Sequence, residues 1–283
     1  MFDDINDKLR PYGVHAIEII CGGETLLHEC FDSDITYPVY SAAKSVTSLA
    51  FSLCCDDGLL TADSLLADHI DEKYKPLMPR GFDKLPFERF LTMTAGEYPF
   101  RPQGDDWLEY IFSLDVDYSD TGFHYSNIPA YLVGAACENA LGGRLMDCLE
   151  KRIFEPLGFA APKYVVCPQG HFYGATGMEM TVHQLALLGQ LYLQNGEWNG
   201  VQLISQKAVQ QATSPKVATG SGDSYGYFFR VAHDCFSMVG KWGQRCIVFP
   251  NKQLVAAYLS HCPDRSQELY ETVREIITQA NIP

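Results

Sequence analysis

Ser41 and Lys44 stand three positions apart in YPVYSAAKSVTSLAFSLCCDDG (37–58). A serine hydroxyl is a poor nucleophile until a neighbouring base takes its proton. Residues three apart share a helix face, so the hydroxyl and the amine can meet. Lysine serves as that base only if burial and the positive end of the helix lower its pKa. The Ser41 N–H, in the first turn, has no partner within the helix and is available to a developing oxyanion. The pair reads equally as a polar helix start, because Ser is a frequent N-cap and Lys a frequent surface residue.

Two further stretches could complete a site. In DTGFHYSNIPAYLVG (120–134), Tyr125 and Asn127 bracket Ser126. A phenol beside a cation can relay a proton to a leaving group, and an Asn amide can hold a substrate carbonyl and a lysine together. The plainer reading is that Tyr125 packs and Asn127 caps a helix. In MVGKWGQRCIVFP (238–250), Lys241-Trp242-Gly243 is expected on a strand edge. Gly243 would let a substrate approach the backbone, the Gln244 N–H would be a second oxyanion donor, and Lys241 would favour an anionic substrate. A surface lysine beside a packed Trp242 accounts for the same residues. His124, next to Tyr125, reads as a packed or solvated residue, since Lys44 already supplies a base at fixed spacing.

These residues need a scaffold. VHAIEIIC (14–21) and TLLHECF (25–31) read as two strands of a hairpin around Gly22-Gly23. Ser41 opens a helix with Val46, Leu49, Ala50 and Leu53 at helical spacing, stopped by Gly58. The span from about 60 to 215 is mostly helical. Asn127, Thr181 and Ser205 start helices, and another covers about 144–154. YGYFFRVA, CFSMVG, QRCIVFP and QLVAAYLSH read as strands, FPNKQ as a turn, and 265–279 as a closing amphipathic helix. Strands at both ends with helices between predict an α/β (α+β) body: one antiparallel sheet flanked by helices plus a mostly helical lobe. The chain 1–283 is expected to be a single domain, its sheet lobe spanning about 1–58 and 216–283 and its helical lobe about 59–215. A cleft is expected where the lobes meet.

Bulk properties narrow the partners. With 47% hydrophobic and 20% charged residues, the chain can bury a large core. Its net charge of −14 repels phosphate backbones and anionic membranes, which argues against a nucleic-acid partner. No apolar run is long enough to span a bilayer. The polar start MFDDINDKLRPYG lacks a signal-peptide core, so a cytoplasmic protein is expected. The ten cysteines show no Cys-x-x-Cys and no zinc spacing, and read as buried thiols. A Cys21–Cys30 disulfide across the hairpin is a further option. Neither a metal nor an organic cofactor is expected, because acyl transfer by serine needs none.

Ser-x-x-Lys, then Tyr-x-Asn, then Lys-x-Gly, in this order, resembles the penicillin-recognising serine hydrolases. The Tyr-Ser-Asn form is similar to the class C β-lactamase branch, with its related esterases, DD-peptidases and 6-aminohexanoate-oligomer hydrolases. LLTADSLLADHI, FLTMTAGEY, IFEPLGF and WGQRCIVFP resemble the same branch, and the likeness covers about residues 35–260. It implies a β-lactamase/transpeptidase-like fold. It also implies attack by Ser41 on an ester, amide or short-peptide carbonyl, with Lys44 and Tyr125 moving protons and Asn127 positioning the substrate. Ser41 and Gln244 N–H groups would hold the oxyanion.

Trp242 departs from the pattern, for β-lactamases carry a Thr or Ser there. An indole has one N–H donor and fills space, which favours esterase or amidase chemistry over β-lactam hydrolysis. Tyr98, Phe100 and Trp107, with Trp242, could wall an acyl site. Two other outcomes stay open: a sensor or penicillin-binding-like protein that acylates with little turnover, and a true β-lactamase.

Overall fold

In the computed structural model, residues 2, 4–32 and 36–280 are described. Eight strands form one sheet: β1 (Val14–Cys21), β2 (Glu24–Cys30), β3 (Val217–Ala218), β4 (Ser224–Tyr225), β5 (Arg230–Val231), β6 (Phe236–Val239), β7 (Arg245–Phe249) and β8 (Leu254–Ser260). Their order is β2-β1-β8-β7-β6-β5-β4-β3, so the two ends of the chain meet at the β1–β8 seam. The pairings are antiparallel, Ile17 lying opposite Tyr258 and Ile247 opposite Ala256. Strand β8 is buried along its whole length, as a central strand covered on both faces must be.

Gly22 and Gly23 both take left-handed backbone, the conformation a two-residue hairpin turn demands. The register places Cys21 opposite Glu24 and Cys30 opposite Ala16. That puts the two cysteines at opposite ends of the hairpin, so the suggested disulfide does not join them.

Four long helices matter for the site: α1 (Ala43–Asp56), α2 (Ile128–Leu141), α3 (Val182–Leu193) and α4 (Ser266–Gln279). Helix α4 closes one sheet face through Leu269, Val273 and Ile277, packed with Ile17, Ile247 and Tyr258. Helix α3, inside the span expected to be a helical lobe, packs on the other face against β1, β7 and β8. A Cβ at Gly189 would collide with Cys246 and Val255, so only glycine permits this approach. Thr181 starts α3 with a full capping box closed by Gln184, and Ser205 caps the helix Gln206–Thr213. Helix α1 is buried from Ala43 through Cys54 and lies against α2, one continuous core joining both to the sheet.

Three expectations change. Ser41 sits in a 3-10 turn, Tyr40–Ala42, which leads into the α-helix, and makes no side-chain cap. The stretch YGYFFRVA is two short strands, not one. Phe228 turns left-handed between them, its N–H bonded to Leu91 and Gly226 carbonyls. Lys241-Trp242-Gly243 is not on a strand edge: β6 ends at Val239, and these residues form the turn into β7, with Trp242 left-handed. A turn flanked by Gly240 and Gly243 reverses the chain where a bulky sequence reads as extended.

Candidate active site

The buried end of Lys44 is the centre of the site. Its side chain is 1% exposed. Nζ lies 3.0 Å from Ser41 Oγ, 2.6 Å from Asn127 Oδ1 and 2.9 Å from the Ala175 carbonyl. Burial pushes the lysine pKa down, while the neighbouring Tyr125 phenol pulls it up. An ammonium would donate to all three oxygens. A neutral amine has two N–H donors, which Asn127 and Ala175 accept, and its lone pair then faces the Ser41 hydroxyl. Only the serine can reverse its bond and give a proton to the nitrogen.

Each partner is placed by its own element. The 174–175 segment docks on α1 in two steps one turn apart: Thr47 Oγ1 donates to the Gly174 carbonyl at 2.7 Å, and Lys44 to Ala175. Gly174 is left-handed, and a Cβ there would press on Thr47. Asn127 stands at the start of α2 but makes no capping bond. Its oxygen is drawn to Lys44, and its Nδ2 donates to the Tyr173 hydroxyl at 3.0 Å. Asn127 is 4% exposed, so it grips the lysine from behind the cleft. The strand-like approach to α2 is pinned by His124 N–H to Met93 and Asn127 N–H to Phe100 carbonyls, both at 2.8 Å.

Tyr125 presents its ring centroid 4.9 Å from Lys44 Nζ and shares with Ser41 a cleft of about 260 Å³. The remaining lining is Phe100, Tyr225, Phe228, Arg230, Val239, Gly240 and Lys241. Tyr225 packs edge-on to Tyr125, and burial holds its phenol protonated, its pKa raised well above the ordinary value. Arg230 is tied to Asp223 at 3.1 Å and stacks on Phe123 and Tyr225. Ser45 Oγ fixes Phe228 through its carbonyl at 2.8 Å.

The structure thus brings Ser41, Lys44, Tyr125, Asn127 and Lys241 together. Trp242 adjoins them through Tyr40, ring centroids 5.1 Å apart. Gly243 and Gln244 lie outside the cleft lining, and the Gln244 carboxamide is committed to both backbone groups of Ser260. Val239 and Gly240 hold the strand edge facing Ser41 instead. Of the expected apolar wall, Phe100 is present. Tyr98 is buried at 6% exposure, and Trp107 packs edge-on to Tyr131 and Tyr173. His124 bonds Asp120 at 2.7 Å. Tyr225, Phe228 and Arg230 were not singled out from the sequence; their aromatic density was the available signal. Ala175 contributes a backbone carbonyl, which carries no residue signature. Among the described residues no group of His, Cys, Asp or Glu could hold a metal ion, and no helix is long and apolar enough to cross a membrane.

The comparisons with known proteins bear on family and fold. The family profile described as Beta-lactamase matches residues 28–278. Lovastatin esterase of Penicillium rubens is 28% identical over an alignment of 160 residues that covers 46% of this chain and 40% of the esterase. The match therefore spans two fifths of the length of that relative. Two solved structures show the same fold. A Bacillus anthracis protein assigned as a 6-aminohexanoate-dimer hydrolase superposes with a TM-score of 0.79 at 18% identity, covering 96% of this chain and 81% of that one. A penicillin-binding protein homologue from Caulobacter crescentus gives 0.75 at 17%, covering 97% of each. Of these proteins, one is named an esterase and one is assigned as a hydrolase. With an antiparallel sheet, flanking helices and a profile match over most of its length, the chain belongs to the Beta-lactamase family.

Proposed function

We propose that this protein is a serine hydrolase cleaving a compact ester or amide through an acyl-enzyme on Ser41. The observation that carries this reading is the coordination of Lys44 Nζ, in which two fixed acceptors leave one position for the serine. Neutral Lys44 takes the Ser41 proton as Oγ attacks the carbonyl carbon. The oxyanion is met by the Ser41 N–H and by the N–H of Lys241, next to Gly240 on the cleft lining. This moves the second donor from Gln244 to Lys241. Collapse expels the alkoxide or amine, which takes the proton back from Lys44 by way of Tyr125. Water then adds to the acyl carbonyl by the reverse proton route, releasing acid and free Ser41.

Val239 and Gly240, which line the cleft with Ser41, offer no side-chain hydroxyl, as Trp242 offers none. That favours esters and amides over β-lactams. The aromatic lining of Phe100, Tyr125, Tyr225 and Phe228 suits an apolar acyl group of modest size. The test is labelling with a fluorophosphonate probe together with steady-state hydrolysis of p-nitrophenyl esters. Labelling that Ser41→Ala abolishes, with sustained turnover, is expected. A single burst without turnover would make the protein an acylating sensor. Equal labelling of wild type and Ser41→Ala would remove the enzyme reading, and hydrolysis of a chromogenic cephalosporin at ester-like rates would restore the β-lactamase.

A further inference from the structure

The two backbone segments that offer oxyanion donors each carry a strained aromatic residue. Tyr40 immediately precedes Ser41 and has φ +47°; Trp242 immediately follows Lys241 and has φ +63°. Bulky side chains rarely adopt left-handed backbone, and such strain persists only where the surroundings over-determine it. Here each supplies part of the other's surroundings: the rings meet edge to face, centroids 5.1 Å apart at 74°.

We infer that Tyr40 and Trp242 are positioning residues, a ring-to-ring brace that sets the separation of the Ser41 and Lys241 N–H groups. The inference rests on the acyl-enzyme reading above. Three sets of contacts give the brace a fixed footing. The Trp242 carbonyl accepts from Ser260 Oγ at 2.8 Å and from the Cys262 N–H at 2.9 Å. Gln244, 2% exposed, bonds both backbone groups of Ser260 and accepts from the Gly240 N–H at 2.7 Å through its own carbonyl. The indole is also met by the His261 ring, centroids 4.6 Å apart. On the serine side, the Val39 N–H bonds the Met178 carbonyl at 2.9 Å, and the Val39 carbonyl lies so close to Gly240 that a Cβ there would not fit. The segments therefore touch twice, backbone to backbone at Val39 and Gly240 and ring to ring at Tyr40 and Trp242. The donors lie beside these contacts in sequence. One contact alone leaves the segments free to hinge; two fix the gap.

The test is a double-mutant cycle of Tyr40→Leu and Trp242→Ala, with Trp242→Phe as the conservative variant. It reads ester kcat and KM and inhibition by a phenylboronic acid, whose tetrahedral adduct on Ser41 places an oxygen at the donors. Expected is a kcat loss of about 10–100-fold in each single variant with KM within about threefold, as for loss of aligned oxyanion donors. Boronate affinity should fall by the same factor, Trp242→Phe should recover most of both, and the double variant should be no worse than the poorer single one. Multiplicative losses, or a kcat loss with unchanged boronate affinity, would overturn the brace. If Trp242→Ala fails to fold by circular dichroism, the cycle is run with Trp242→Leu and Tyr40→Leu, which both remove a ring, and unchanged boronate affinity in both overturns it equally. Wild type that no fluorophosphonate labels would instead sink the acyl-enzyme reading itself.

Discussion

Two lysines serve the same cleft, and their surroundings differ in every respect. Lys44 is 1% exposed, issues from the first turn of a buried helix, and has an oxygen at each hydrogen-bonding position. Lys241 is exposed, sits on a turn between two strands, and rests over the Trp242 ring with no carboxylate in ion-pair range among the described residues. Burial lowers the pKa of the first, because the charged form loses its hydration, and on the proposed mechanism this makes it the base. The second is open to solvent and brings a formal positive charge to the cleft rim. Position within the fold, not residue type, divides the labour between them.

The division is broken most directly at Lys44. Lys44→Met should lower ester kcat by about 10³-fold or more, and Ser41→Ala by at least as much, with the double variant no worse than either single one, since they act as a unit. A wild type whose turnover survives Lys44→Met would end the contrast. The pH profile checks the same point. On the proposed mechanism the active form is the neutral amine, and burial holds its pKa below the ordinary lysine value. Activity should therefore rise with pH through that lowered pKa, and a limb at the ordinary value of 10.5 would show an unperturbed lysine. Linkage has the same sign: between the depressed folded pKa and the ordinary unfolded one, the unfolded chain binds the extra proton, so stability also rises with pH.

A smaller effect sharpens the comparison by changing one neighbour. Asn127→Asp places a carboxylate where Oδ1 now lies 2.6 Å from Nζ. An opposite charge so near favours the ammonium and raises the lysine pKa. Activity at neutral pH should drop by roughly 10–100-fold for each one to two units of that rise, and part of it should return as the pH is raised. Stopped-flow acylation across pH separates this outcome from misfolding, which no pH restores.

The same contrast explains what could be read from the sequence. Ser41, Lys44, Tyr125 and Asn127 were legible because a helix fixes Ser-x-x-Lys on one face and because a Tyr-x-Asn stretch stands at a helix start. The helix start at Thr181 and the Gly22-Gly23 hairpin were legible for the same local reason. The Ala175 carbonyl was not, since any residue could supply it; its place depends on Thr47 gripping Gly174 from far along the chain. Lys241-Trp242-Gly243 was misjudged as strand because alternating bulk around a Trp favours extended backbone. The left-handed Trp242 depends on Tyr40, Ser260 and Cys262, none of them near in sequence. Tyr98 and Trp107 lie away from the cleft lining: Tyr98 is buried, and the half-buried Trp107 packs on Tyr131 and Tyr173.

The smallest effect belongs to Lys241, and it is selective. Its ammonium lies on the rim of the cleft and is open to solvent, so its field acts through water and mobile ions. An exposed charge pair is worth about 0.2–1 kcal/mol, which limits the change in KM to a few-fold. Lys241→Met should therefore raise KM about 2–5-fold for an ester whose acyl group ends in a carboxylate, and leave its kcat nearly unchanged. A neutral ester of the same length should show no change, because the lysine contributes through its backbone N–H, which methionine retains. Raising the salt concentration should erase the wild type's preference for the anionic ester and do nothing to the variant. Steady-state kinetics on the two esters at low and high salt measures all four quantities. A fall in kcat of the size seen for Lys44→Met would mean that the second lysine enters the chemistry after all, and that burial does not separate the two roles.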